Sequence, residues 1–316
     1  IKLIQNLFRK YTPNELYYKV LYELFKDDLK FSDDPNFKRE IGHLKDTIIY
    51  NTLYEFQKKG VISLIKMLQR HNGAILADAV GLGKTWTALA VMKYFETKGY
   101  NRIILFCPKK LDANWRQYLE GHQSKFEPDR LKYTIRYHTD LQDDRLENHE
   151  DTFKIKTYFQ GNPKMLVVID ESHNLRNDKS SRYKFLVENI LTKNKDVKIL
   201  QLSATPINNK LVDVRNQFKL VVKGDDAGFK ENGLDISSLE SIFRTAQRDF
   251  RVWQQEDDRK ISDFIQKLPQ KFFSLTDALI VARTRKMIED EIGKMKFPEK
   301  ENTINEYISP ENIGNL

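Results

Sequence analysis

Two pairs of residues in this chain have the types and surroundings to act on a charged group. The first is Lys84-Thr85, directly after Gly81-Leu82-Gly83. Ala74–Ala77 upstream is an apolar run of buried-strand length, and Ala88, Leu89, Val91, Met92 and Phe95 downstream recur at helical spacing. Strand, glycine turn and a helix opening on Lys-Thr make a cradle for phosphate. Glycines let backbone N–H groups approach the phosphate oxygens, and the helix N-terminus adds partial positive charge. Lys84 reaches the outer phosphates, and the Thr85 hydroxyl can hold Mg²⁺. The general pattern places Gly six positions before the lysine, where this chain has Asp78. The same stretch also fits a glycine turn before an ordinary helix. The second pair is Asp170-Glu171, at the end of the apolar run Met165–Ile169. Adjacent acids at a strand end can divide two tasks, Asp170 holding a metal and Glu171 activating water. A lone acid pair is equally at home in a solvated turn.

These groups need elements to bring them together. Ile103–Cys107, Met165–Ile169 and Val197–Leu202 are apolar runs without alternation. Separated by helical segments, they predict an α/β fold whose parallel sheet is covered by helices on both faces. Ligands of such sheets bind at the carboxyl ends of the strands. Lys84, Asp170 and Ser203 each follow a strand end, so one sheet edge gathers them. A helical pattern covers about 53–70, and another helix is expected at Leu111–Leu119. Residues 120–160 are polar and poorly periodic and read as a surface insertion or loop. Thr12-Pro13-Asn14-Glu15 is a helix-start signal within a helical N-terminal segment, 1–50. Leu239–Leu268 is helical and heavily charged, and 287–316 tapers into a polar tail.

The chain has 316 residues, 40% of them hydrophobic and 31% charged, with a net charge of +8. That length suffices for one large domain or two small ones. The basic excess favours polyanion partners, nucleic acid first. The single cysteine, Cys107, excludes an intrachain disulfide and suits a reducing cytoplasm. Within an apolar run it reads as a buried, inert thiol. No apolar run approaches the roughly 18 residues of a membrane span, so no membrane role is expected. The chain opens on Ile1 and reads as a piece of a longer protein.

Taken in order, the motifs resemble the nucleic-acid-dependent ATPases of helicase superfamily two, and among them the Swi/Snf-type DNA translocases. LYEFQKKG at 53–60 is similar to the family's adenine-recognition block, with Gln57 at its glutamine. ADAVGLGKT at 77–85 resembles its phosphate loop, which also carries Asp where Asp78 stands, although Ala79 replaces the usual glutamate. CPKKLDANW at 107–115 resembles the block after the second strand, and its Trp115 is characteristic of Swi/Snf-type members; by itself Trp115 reads as a packing residue. IDESH at 169–173 matches the magnesium and water block, and LSATPINN at 202–209 the coupling block. ARTRK at 282–286 resembles the basic block that closes the first lobe, although Arg283 and Arg285 fit a solvated face equally well.

The resemblance implies a RecA-like P-loop NTPase lobe at 51–290 with a helical insertion at about 225–280. It implies ATP and Mg²⁺ as cofactors. Gln57, Gly81, Gly83, Lys84 and Thr85 would bind nucleotide, and Thr85 and Asp170 would hold the metal. Lys84, Asp170 and Glu171 would be catalytic, while His173, Ser203 and Thr205 would couple nucleotide to nucleic acid. Double-stranded DNA and a second RecA-like lobe of the same full-length chain are the expected partners. That lobe would lie beyond a linker at 291–316 and supply a catalytic arginine. The setting implied is a bacterial cytoplasm, at the nucleoid. Two other readings remain open at this stage, a nucleotide-gated protein-binding module and an RNA helicase lobe.

Overall fold

The computed structural model describes residues 41–142, 163–204, 211–230, 233–253, 255–256 and 261–292. The helix start expected at Thr12–Glu15, the part of the expected linker from 293 onward, and Thr205 lie outside the described residues.

The frame is a six-stranded sheet: β1 (Gly73–Leu76), β2 (Arg102–Cys107), β3 (Thr134–Tyr137), β4 (Met165–Ile169), β5 (Val197–Leu202) and β6 (Ile280–Val281). Their spatial order is β3-β2-β4-β5-β1-β6, and every pairing is parallel. The helices are α1 (Gly42–Lys45), α2 (Ile48–Thr52), α3 (Glu55–His71), α4 (Lys84–Thr97), α5 (Asp112–Arg116), α6 (Ser181–Phe185), α7 (Leu211–Val221), α8 (Leu239–Trp253), α9 (Ile261–Lys267), α10 (Gln270–Leu279) and α11 (Arg285–Ile292). This is the α/β architecture expected.

Alternate residues of each strand enter different cores, which is why the strands read as unbroken apolar runs. Ala74, Leu76, Ile103, Leu105, Leu166, Val168 and Leu200 pack with α1–α4 on one face. Ile75, Ile104, Phe106, Val167, Ile169 and Ile199 pack on the other, beneath α7, α8 and α10. Helix α4 buries Ala88, Leu89, Ala90, Val91, Met92, Tyr94 and Phe95, so it is apolar nearly all round, as a central helix must be. Helix α3 ends where Asn72 turns left-handed (φ 61°), and Lys198 Nζ donates to Leu68 O at 2.8 Å and Asn72 Oδ1 at 2.7 Å. The charged segment after 225 turns aromatic side chains inward. Phe243, Trp253, Phe264 and Phe272 belong to the second core.

Two local expectations change. The helix at Leu111–Leu119 is only α5, preceded by a 3-10 turn at Lys109–Leu111. The hydroxyl of Tyr133 donates to Trp115 O at 2.5 Å, a carbonyl that a longer helix would have used. The polar stretch 120–142 is also more than a loop. It holds β3, it buries Phe126 and Leu131, and the Asp129 carboxylate accepts Ile48 N at 2.9 Å and Ile49 N at 2.7 Å. A carboxylate there satisfies orphan amides at the start of α2. Residues 143–162 lie outside the described residues.

The close approach of α7 to β1 depends on Gly73. A Cβ there would stand 2.4 Å from Val221 Cγ1. Gly73→Ala should lower stability by about 1–3 kcal/mol through overpacking. Because the three nearest atoms all belong to Val221, a denaturant double-mutant cycle with Val221→Ala should return a favourable coupling of at least about 0.5 kcal/mol.

Candidate active site at the carboxyl edge of the sheet

The loop between β1 and α4 is shaped by its glycines. Gly81 (φ 87°) and Gly83 (φ 77°) adopt left-handed conformations that side chains disfavour. A Cβ on Gly83 would also meet Gln57 Nε2 at 2.3 Å. Four of the loop's carbonyls are engaged. Asp78 O accepts Lys84 Nζ at 3.0 Å, Ala79 O accepts Leu82 N at 3.3 Å, Val80 O accepts Arg285 Nη2 at 3.1 Å, and Leu82 O accepts Gln57 Nε2 at 3.0 Å. By contrast, the amides of Gly81, Gly83, Lys84 and Thr85 have no protein acceptor among the described residues. Carbonyls tied off and consecutive amides left open at a helix N-terminus make a site for an anion.

The Lys84 amine is lowered in pKa, first by burial; the charges of Asp78, Glu171 and Asp170 oppose that shift. Burial without a full counter-charge leaves this cation suited to an incoming polyanion. Thr85 sits half-buried in the first turn of α4. Gln57 is buried, and its Oε1 accepts Tyr54 N at 2.9 Å while Nε2 reaches the loop. A carboxamide offers two N–H donors and two lone pairs, so one donor and one acceptor of Gln57 remain.

Asp170 follows β4, and its backbone N donates to Phe106 O at 2.8 Å. Its Oδ2 accepts Trp115 Nε1 at 2.8 Å and its Oδ1 accepts Glu171 N at 2.9 Å. Burial raises the Asp170 carboxyl above its usual range; the Trp115 bond opposes this, Glu171 adds to it, and Lys84 lowers it. Glu171 itself has φ 50°, ψ 48°, an uncommon conformation for a non-glycine residue and one that recurs at functional sites. It places Oε2 3.2 Å from His173 Nδ1, which in turn lies 3.2 Å from Ser203 Oγ. Burial lowers the His173 pKa, with Glu171 opposing. Ser203 N donates to Leu76 O at 3.1 Å, tying the end of β5 to the end of β1.

The structure therefore gathers Lys84, Asp170, Glu171, His173 and Ser203 at one edge and places Gln57 against the back of the loop. Sequence reading treated Trp115 as packing; it is buried, and it also orients Asp170. Gln217 was not singled out. Its Oε1 accepts Ser172 Oγ at 2.9 Å and its backbone O accepts Gln201 Nε2 at 2.9 Å, bracing the acid block from α7. His138, at the end of β3, was missed too. It is buried, its pKa is pushed down to about 4 by burial, and its Nε2 has no hydrogen-bond partner among the described residues. Arg283 is no solvated residue; it is 4% exposed and paired with Asp78. A groove of about 370 Å³ lined by residues such as Arg102, His122 and Thr134 lies at the amino ends of β2 and β3, away from this constellation.

The donors fit magnesium chemistry. Among the described residues no cluster of three or more His, Cys, Asp or Glu could hold a metal alone. Mg²⁺ commonly takes one or two protein oxygens and completes its shell with water and phosphate. Trp115→Phe keeps the ring and removes the donor to Asp170. Without that bond the carboxyl pKa rises further, so protons compete with metal up to a higher pH. The variant should weaken Mg²⁺-dependent nucleotide binding by about 10–100-fold, and its loss on acidification should begin at higher pH than in the parent. Titrations across pH with and without Mg²⁺ measure both effects; a coincident profile would show that the bond does not tune Asp170.

The family model described as SNF2-related domain matches residues 56–307. An uncharacterized ATP-dependent helicase, YqhH, of Bacillus subtilis is 34% identical over 164 residues, covering 50% of this chain and 28% of that protein. Switch 2 of Arabidopsis thaliana is 26% identical over 277 residues, covering 80% of this chain and 29% of its own length. A solved SWI2/SNF2 ATPase core from Sulfolobus solfataricus, in complex with double-stranded DNA, aligns over 74% of this chain and 44% of its own, with 20% identity and a TM-score of 0.45. The chain thus spans under a third of the length of these two sequence relatives. Its phosphate-type loop and acid block lie inside the matched region, and the chain belongs to the SNF2-related domain family.

Proposed function

We propose that this chain is the ATP-binding first lobe of a DNA-dependent ATPase that moves along or remodels duplex DNA. The observation that carries the reading is a loop with four carbonyls engaged and the amides of Gly81, Gly83, Lys84 and Thr85 open, whose Lys84 amine feels the charges of Asp170 and Glu171. Lys84 and the amides of Gly81, Gly83, Lys84 and Thr85 bind the phosphates. Thr85 and Asp170 would hold Mg²⁺, which when bound would screen phosphate charge. Glu171 accepts a proton from, or orients, the attacking water. The remaining donor and acceptor of Gln57 match the N7 and N6 edge of adenine. His173 touches both Glu171 and Ser203, so it links hydrolysis to the coupling block, of which Thr205 is the further member.

Relatives named helicases and chromatin-remodelling ATPases support ATP use at the level of the family. A relative named chromodomain-helicase-DNA-binding protein 1-like, 28% identical over 171 residues, supports DNA as the polyanion, as does the net charge of +8. The resemblance assigns a catalytic arginine to a second lobe. Such an arginine contributes about 10³–10⁵ in rate in related phosphoryl-transfer sites, so turnover belongs to the two lobes together.

Lys84→Ala should abolish ATP binding while leaving circular dichroism unchanged. Glu171→Gln should retain ATP and Mg²⁺ binding and lose hydrolysis in the full-length protein, because the amide keeps the shape without the base. Binding by fluorescent nucleotide and phosphate release by the full-length protein separate the two. Parental ATP affinity in Lys84→Ala would refute the phosphate-loop reading.

A further inference from the structure

The back of the phosphate loop is held by residues far along the chain. Ala77 N donates to Val281 O at 2.7 Å and Ala79 N to Arg283 O at 2.9 Å, so β6 runs on as a ladder beside the loop. Arg283 then turns inward. Its Nε donates to Asp78 Oδ1 at 2.9 Å, its Nη2 to Asp78 Oδ2, and its Nη1 to Phe56 O. The guanidinium also lies over the Phe56 ring at 5.0 Å. Room for it exists because residue 60 is glycine; a Cβ there would meet Arg283 Nη2 at 2.6 Å. Two residues on, Arg285 Nε and Nη2 donate to Val80 O at 3.3 and 3.1 Å. One turn further, Ile288 is buried in a small cluster with Phe56, Ala79 and Leu82. Helix α11 is thereby fastened to the loop through its first residue and its apolar face.

A phosphate loop works only if its peptide planes turn amides toward the anion. That orientation requires its carbonyls and any loop carboxylate to find partners on the other side. Here the partners are the two arginines and Gln57. We propose that Arg283 and Arg285 are positioning residues for the phosphate loop, holding Asp78 and Val80 O so that the amides stay open, and that α11 therefore moves with the loop when nucleotide binds. The proposal rests on the assignment of the loop as the ATP site. It assigns the segment leaving the sheet a task in the site itself. It also gives Ala79 a place, its small side chain packing with Ile288.

Arg285 is the informative position, since it is half-buried at the surface of the loop. Arg285→Gln should leave the melting temperature within a few degrees, accelerate exchange of the hydrogen-bonded Ala79 and Leu82 amides in the nucleotide-free protein by about tenfold, and weaken ATP by about tenfold. Arg285→Lys, which restores one cationic donor, should recover part of both. In the parent, ATP should slow exchange in 285–292 as well as in 79–85. Arg283→Met alone would strand the buried Asp78 and destabilise the fold, so it is paired with Asp78→Leu; the double variant should fold and show the same fast loop exchange. If the parent binds ATP and Lys84→Ala does not, yet Arg285→Gln matches the parent in exchange and affinity, the positioning role is overturned while the ATP site stands. If the parent shows no ATP binding, the assignment of the site fails first, and the positioning proposal falls with it.

Discussion

A buried carboxylate and a buried guanidinium, Asp78 and Arg283, meet across 205 residues of chain. A buried charge needs a partner, so the fold must bring β1 and β6 side by side and in register before this pair can form. Breaking such a pair by removing one partner costs about 3–5 kcal/mol, although replacing both with apolar groups is often neutral. Its worth is therefore specificity more than stability. It fixes where the chain leaves the sheet relative to where the phosphate loop begins, and Phe56 O brings the start of α3 to the same point.

From that junction the chemistry spreads along one edge. Because every strand is parallel, the ends of β1, β4 and β5 deliver Lys84, Asp170 and Ser203 to the same side. The electrostatics of that edge are unfinished in a useful way. Burial disfavours the charged form of Lys84 and of Asp170 alike, and each partly offsets the other. A polyanion with a bound cation would satisfy both at once, the phosphates answering the lysine and open amides, the metal answering the carboxylate.

Much of this edge was legible in the sequence because apolar runs followed by a glycine turn with Lys-Thr, by Asp-Glu and by Ser-Ala report strand ends directly. Gln57 was legible as a motif residue, but its grip on Leu82 O was not, since a helix glutamine carries no sign of which loop it faces. The partner of Asp78 was illegible for a physical reason: nothing local marks a pair so far apart, and a basic block beside polar residues reads equally as a solvated face. Strand β3 escaped because it has four residues at the sheet edge amid polar neighbours, too short for periodicity to speak. The indole bond to Asp170 escaped because an apolar ring in a helix reads first as packing, and only proximity reveals its donor.

The most direct measurement is a crystal structure of this chain with a non-hydrolysable ATP analogue and Mg²⁺. Triphosphate should lie between Gly81 and Thr85, with the Lys84 amine released from Asp78 O to the phosphates. The metal should lie near Thr85 and Asp170, and adenine beside Gln57. Analogue bound elsewhere, such as in the groove by Arg102 and Thr134, with Lys84 still on Asp78 O, would contradict this arrangement.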